Sequence, residues 1–280
     1  MTRPLFADRS TVAGLAIVAS LGVLALLAPW LAPHDPTHVE AARGFAGPSA
    51  VHWLGTDNLG RDLLSRLLFG ARWSLGIVVV ATALVISAGV VVGVAAGYVG
   101  GLLDDVLMRL VDTLLSVPTL LLALAIVGTL GPGVGSLLIG LASIWWVGYA
   151  RVVRGMVLSL RERGFVDAAR ALGASDARIV VRHILPGILP AVAVLASLEM
   201  GELVLALSGL SFLGLGAQPP TPEWGAMLGD GRNFFFTAPQ LMLYPGLAIS
   251  IAVLGFNLLG DGLRDALDPV DASRLRQAGT

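Results

Sequence analysis

The chain has 280 residues, 56% of them hydrophobic and 13% charged, with a mean hydropathy of +0.83 and a net charge of −1. Soluble domains carry about 25% charged residues, so a water-covered fold is excluded, and the near-zero net charge argues against a nucleic-acid surface. There is no cysteine, which removes disulfides and thiolate metal sites, and all 18 basic residues are arginine, which removes any G-x-x-x-x-G-K-[ST] phosphate loop.

A membrane-crossing helix needs about 20 mostly apolar residues. Charge-free runs cover residues 10–34, 73–103, 113–150, 203–222 and 233–260. The third is too long for one helix, and "GPGVGS" at 131–136 divides it. The fourth begins earlier, near Ile188, and so takes in Glu199 and Glu202. Six spans are predicted, near 11–31, 74–98, 107–130, 134–151, 189–211 and 241–260.

The first run is read as a retained helix. Its uncharged length exceeds the roughly 7–15 residues of a signal-peptide core, and no clear A-x-A cleavage site follows. After it, residues 35–72 form an outer segment whose four arginines balance Asp35, Glu40, Asp57 and Asp62. In the second span Gly89, Gly93 and Gly97 repeat the small-residue spacing that lets membrane helices approach closely. That spacing suits packing within the chain or against a second subunit, and does not choose between them. Pro118 is expected to kink the third span.

Between the fourth and fifth spans, about 152–188, the chain is polar but patterned. Phe165, Ala169 and Leu172 share one helical face. Gly173 suits a helix stop, Ser175 an N-cap, and Pro186 the end of a second helix begun at Asp176. A solvated positive loop would need no such periodicity, so a docking element is the favoured reading. Asp167 can also pair with Arg163 or Arg170 along the helix surface.

In the fifth span Glu199 and Glu202 share a face, at i and i+3. Ionisable groups inside a span face a cavity, a partner or water, and three roles stay open: binding an ammonium or cation in the pathway, bonding a partner subunit, or hydration near the interface. The outer segment 217–240 is rich in Pro and aromatics; Trp224, with Trp53 earlier, suits an interfacial anchor. His34, His38, His52 and His183 show no ligand spacing and no nucleophile motif beside them, so no catalytic, cofactor or metal residue is assigned.

Orientation follows arginine placement. With the N-terminus in the cytoplasm, 13 arginines lie inside (3, 9, 109, 151, 154, 161, 163, 170, 178, 182, 264, 274 and 276) and 5 outside (43, 61, 66, 72 and 232). The patterned loop is then cytoplasmic.

That loop carries a resemblance. "DAARALG", then nine residues, then "HILP" is similar to the E-A-A-x-x-x-G … I-x-L-P loop of ABC importer permeases. Ala168, Ala169, Gly173, Leu185 and Pro186 match, while Asp167 replaces Glu and His183 stands at the Ile position. Both departures resemble the peptide and nickel branch. "LGTDNLGRDLLSRLLFGARWSL" (54–75), "SFLGLGAQPPTPEWGAML" (211–228) and "NLLGDGLRDALDP" (257–269) are similar to signatures of the second permease subunit of dipeptide, oligopeptide and nickel importers.

The resemblance implies an all-α polytopic membrane protein with the ABC type I importer permease fold and about six transmembrane helices. It divides the chain into 1–72 (first helix and outer segment), 73–268 (five helices and the coupling loop) and a cytoplasmic tail, 269–280. Asp167, Ala168, Ala169, Gly173, Leu185 and Pro186 would couple the membrane helices to an ATPase, with Glu199 and Glu202 as candidates for the pathway. Implied partners are a second permease, one or two ATPases that bind ATP and Mg, an extracytoplasmic binding protein and the bacterial inner membrane, with no nucleic acid. Short peptides are the expected cargo, nickel or a metal chelate the alternative. An ion-gradient transporter working through Glu199 and Glu202 is the rival of another class; it would often show an internal repeat, and none is evident between the two halves.

Overall fold

The computed structural model describes residues 9–267. The tail 269–280 and Arg3, Arg274 and Arg276 lie outside the described residues. Regular structure among the described residues is helical. Five stretches are long and apolar enough to cross a membrane. They are α1 (Arg9–Leu31), α2 (Leu63–Val99), the broken pair α5 (Val134–Ile144) and α6 (Trp146–Arg161), the stretch Asp176–Phe212, and α11 (Gln240–Leu267). A sixth crossing is possible only by joining α3 (Gly101–Leu115) to α4 (Thr119–Leu130), which meet at 87°.

Several ends differ from the hydropathy boundaries. α2 begins at Leu63 rather than near 74, so the division expected at 72/73 falls inside a helix. Asp62 starts it: Oδ2 accepts from Ser65 N at 2.8 Å and Ser65 Oγ at 2.7 Å, and a capped first turn tolerates the arginines that follow. At Pro118 the expected kink is a full break. Proline has no N–H to continue the ladder and drives its predecessor out of helical geometry. α4 alone spans about 18 Å at 1.5 Å per residue, well under the ~30 Å of a hydrocarbon core. α6 runs to Arg161, so the connecting loop is shorter than the expected 152–188.

Glycine contacts settle the packing. At Gly93 an added Cβ would lie 2.7 Å from Ala150 O and from Val153 Cβ; at Gly97 it would lie 2.9 Å from Arg154 O and Val157 Cβ. Gly89 faces Tyr149 in the same way. The glycine stripe of α2 is therefore the seat of α6 in the same chain. α1 lies on α11 by the same device: an added Cβ would lie 2.5 Å from Leu259 N at Gly14 and 2.6 Å from Ile17 Cγ2 at Gly255. A central core joins Val78, Leu137, Leu141, Leu203, Leu207 and Trp224, and a second cluster at the far end of α2 gathers Val153, Val157, Val166, Ile179, Ile184 and Ile188.

The segment 32–62 folds as compact turns. Glu40 N donates to Leu59 O (3.1 Å), Phe45 N to Asp57 O (2.9 Å) and Thr56 N to Ala46 O (3.0 Å). Asp57 is buried; its Oδ1 accepts from Leu59 N and Arg61 N and its Oδ2 from Arg61 Nε at 2.6 Å. Arg61 and Arg66 also reach Asp230 on α10 (Trp224–Gly231), at 3.9 and 4.0 Å. Trp224 is not an interfacial anchor: it is 1% exposed and its Nε1 donates to Leu67 O at 3.1 Å. It fills the hollow over Gly70. Trp53 does stand exposed.

Candidate functional site

The predicted loop folds into α7 (Gly164–Ala171) and α8 (Asp176–Ile179). α7 ends where expected. Gly173 takes φ +82°, its N–H bonds Arg170 O at 3.0 Å, and Ala174 N bonds Ala169 O at 3.0 Å, a Schellman turn that satisfies the last carbonyls. Ser175 Oγ then accepts from Arg178 N at 3.4 Å to start α8.

The end of α8 is a correction. Pro186 does not stop it, because the backbone runs through a π-helical stretch, Val180–Ile184, into α9 (Leu185–Phe212). Pro186 directly follows the π-helical turn, inside the continuous helical path, so its missing N–H removes one ladder hydrogen bond without ending the helix. α8 is thus continuous with the helix that carries the glutamates.

Of the expected apolar stripe, Ala169 packs inward, while Phe165 and Leu172 project outward at 44% and 88% exposure. The anchor is Val166, fully buried in the cluster with Ile179 and Ile184. Asp167, Ala168, Gly173 and Pro186 are exposed, and Leu185 is half-buried. Asp167 pairs with Arg170 at 3.5 Å.

The base of the loop is held by charged and polar contacts. Tyr98 Oη donates to Asp176 Oδ1 (2.6 Å), and Arg161 donates to the carbonyls of Gly97 (3.2 Å) and Tyr98 (3.0 Å). Nearby, Arg154 grips Asp104 of α3 in a bidentate pair at 2.5 and 2.6 Å, and Arg151 pairs with Asp112. Planar two-point pairs fix orientation as well as distance. The result is a rigid amphipathic knob on α2, α6 and α9.

Glu199 is half-buried and Glu202 exposed. The intervening Gly201 is buried against Asn257 of α11, 2.8 Å from an added Cβ. Tyr149 of α6, buried with its hydroxyl unpartnered, lies within electrostatic reach of both carboxylates. Together they make an acidic face able to hold an ammonium group or a cation.

Sequence reasoning missed Glu223. Fully buried, it caps α10 by accepting from Gly225 N and Ala226 N (both 2.9 Å) and accepts a hydrogen bond from the Ser74 hydroxyl at 2.8 Å. An acid just before "WGAM" was the available signal. It also missed a meeting of His34, His52 and Asp62 near the start of α2, which no local spacing announces.

A bundle of apolar helices long enough to cross a membrane, bearing one polar knob, is the architecture of a polytopic membrane protein. The family model described as "Binding-protein-dependent transport system inner membrane component" matches residues 89–270, and that of the "N-terminal TM domain of oligopeptide transport permease C" matches 1–48. The chain belongs to this family: it is a multi-pass inner-membrane permease of an ABC importer, of the dipeptide, oligopeptide and nickel group. The nickel transport system permease protein NikC of Escherichia coli (strain K12) is 45% identical, over 91% of this chain and 92% of its own. The dipeptide transport system permease protein DppC of Alkalihalophilus pseudofirmus is 44% identical, over 94% and 86%. The glutathione transport system permease protein GsiD of Pectobacterium atrosepticum is 43% identical, over 91% and 87%. Among solved structures, an inward-facing MetNI methionine ABC transporter shares the fold, with a TM-score of 0.56 and 21% identity over 74% of this chain and 98% of that one.

Proposed function

We propose that the chain forms half of the pathway through which an importer moves short peptides, driven by ATP bound with Mg and hydrolysed on one or two partner subunits. A second, related permease completes the pathway, and an extracytoplasmic binding protein delivers cargo to the face built from 32–62 and 213–239. Both termini and α7 lie in the cytoplasm.

The observation that carries this reading is the unbroken run from α8 into α9, to which α7 is joined by the tight turn at Gly173. Leu172 and Phe165 are exposed and able to enter a partner's cleft, Val166 anchors the knob, and the helix path from Asp176 to Phe212 is unbroken. A push on Asp167, Ala168, Ala169 and Gly173 then reaches Leu185 and Pro186 and on to Glu199 and Glu202, where a peptide's ammonium group would sit. Relatives named for dipeptide and glutathione transport support peptide cargo. The relative named for nickel supports the second reading, a nickel or metal-chelate cargo.

The test is the reconstituted complex in proteoliposomes. Gly173→Val places a β-branched residue at φ +82°, a strain of about 1–2 kcal/mol. The complex is expected to assemble and hydrolyse ATP while uptake falls by at least about tenfold. Normal uptake would remove α7 from the coupling path. Labelled dipeptide and labelled nickel, offered in parallel, decide the cargo.

A further inference from the structure

We propose that His34, His52 and Asp62 bind a divalent first-row transition-metal ion, at the end of α2 opposite the coupling knob. Among the described residues these three are the one group whose donor atoms, one from each, all lie within 4.8 Å of one another. They come from three separate pieces of chain: His34 follows α1, His52 belongs to the turns of 32–62, and Asp62 caps α2.

The geometry is close to that of a bound ion. His52 Nδ1 and His34 Nδ1 lie 2.9 and 3.7 Å from the same oxygen, Asp62 Oδ1. Around a tetrahedral ion with bonds of about 2.0–2.1 Å, neighbouring donors sit about 3.3 Å apart, so small rotations of the two rings suffice. The carboxylate is already oriented. Its Oδ2 is taken by Ser65 N and Oγ, and the same Oγ accepts the backbone N–H of His34 at 3.1 Å. Ser65 thus holds two of the three ligand residues, the supporting role that outer partners take around metals.

A hydrogen-bonded cluster without an ion leaves a deficit. His34 Nδ1 and His52 Nε2 are buried with no hydrogen-bond partner, which is unfavourable for groups of this strength. An ion seated between the two Nδ1 atoms and Asp62 Oδ1 takes up the unpartnered His34 Nδ1 and leaves His52 Nε2 as it is. Competition from neighbouring cations is low, because Arg61 and Arg66 are engaged with Asp57 and Asp230. Access is open: the His34 side chain is 35% exposed on the rim of a cleft lined by Pro33, Pro36, Phe69, Trp73 and Pro220, with room for water to complete the coordination. Two imidazoles and one carboxylate suit zinc, nickel or cobalt, and disfavour the all-oxygen ions calcium and magnesium. The ion would pin the end of α1 and the outer turns to the start of α2, and the site stands independently of the cargo.

The experiment uses the purified full chain with its co-expressed partners, without a polyhistidine tag, stripped with a chelator and dialysed. Zinc, nickel and cobalt are titrated by competition with a chromophoric chelator, with magnesium as control, while the thermal midpoint is followed. One ion per chain, with a midpoint that rises with zinc or nickel but not magnesium, is expected. His34→Gln and His52→Gln should each weaken binding by at least about tenfold, while His38→Gln should not. His34→Gln lies on the cleft rim and spares the Asp62 cap, so its folded state can be checked by the unchanged metal-free midpoint. Binding that is absent, or equal in wild type and His34→Gln, would overturn the site.

Discussion

A Cβ at Gly93 would sit 2.7 Å from both Ala150 O and Val153 Cβ, whereas one at Gly76, on the same helix, would meet nothing within 4 Å. Alanine should therefore act oppositely at the two positions. Gly93→Ala forces α2 from α6, an overpacking of about 1–3 kcal/mol, and should lower the thermal midpoint in detergent. Gly76→Ala should leave it level or raise it, since alanine favours a helix over glycine by up to about 1 kcal/mol. Equal effects would mean that α6 does not rest on this stripe. The spacing of Gly89, Gly93 and Gly97 was legible in the sequence, but its partner was not: a small residue records that something comes close without recording what. Glu223 was obscured for a similar reason, since an acid in a Pro-rich outer loop looks solvated until Ser74 and the start of α10 close around it. His34, His52 and Asp62 carry no pattern because only the folding of 32–62 brings them together.

Elements were legible in their middles and obscure at their ends, except for the third expected span, which breaks at Pro118. Hydropathy located every long apolar stretch, because a lipid-facing helix must be apolar along its length. It could not see the capped, arginine-bearing start of α2 or the helical path through Pro186, since neither adds apolar residues. The stop at Gly173 and the cap at Ser175 were readable because both depend on local backbone chemistry. The short α3 is held to α6 by Arg154–Asp104 and Arg151–Asp112, and the first of these gives an element-scale test. Asp104→Arg sets two guanidiniums face to face and should reduce uptake and complex yield. Exchanging the charges, with Arg154→Asp added, should restore much of both, because contacting residues couple. No rescue in the double variant would mean that α3 is held by its apolar contacts instead.

For the molecule as a whole, the contacts sort the helix ends into two groups. Arg161 reaches Gly97 and Tyr98, and Tyr98 reaches Asp176, so the ends of α2 and α6 and the start of α8 share one side. Gly133 N bonds Leu215 O at 3.1 Å, and Asp230 meets Arg61 and Arg66, so the α4–α5 turn, α10 and the outer turns lie away from it. The arginine count predicts a cytoplasmic side for the first group, and the absence of cysteine makes that prediction directly measurable. Leu172→Cys and Trp53→Cys are both exposed positions on opposite groups. In sealed right-side-out vesicles, a membrane-impermeant maleimide should label Trp53→Cys at once and Leu172→Cys only after permeabilisation. Inverted vesicles should reverse the order. Early labelling of Leu172→Cys from outside would put α7 on the wrong side for any cytoplasmic ATPase and would remove the coupling proposal, while leaving the fold and the His34–His52–Asp62 site untouched.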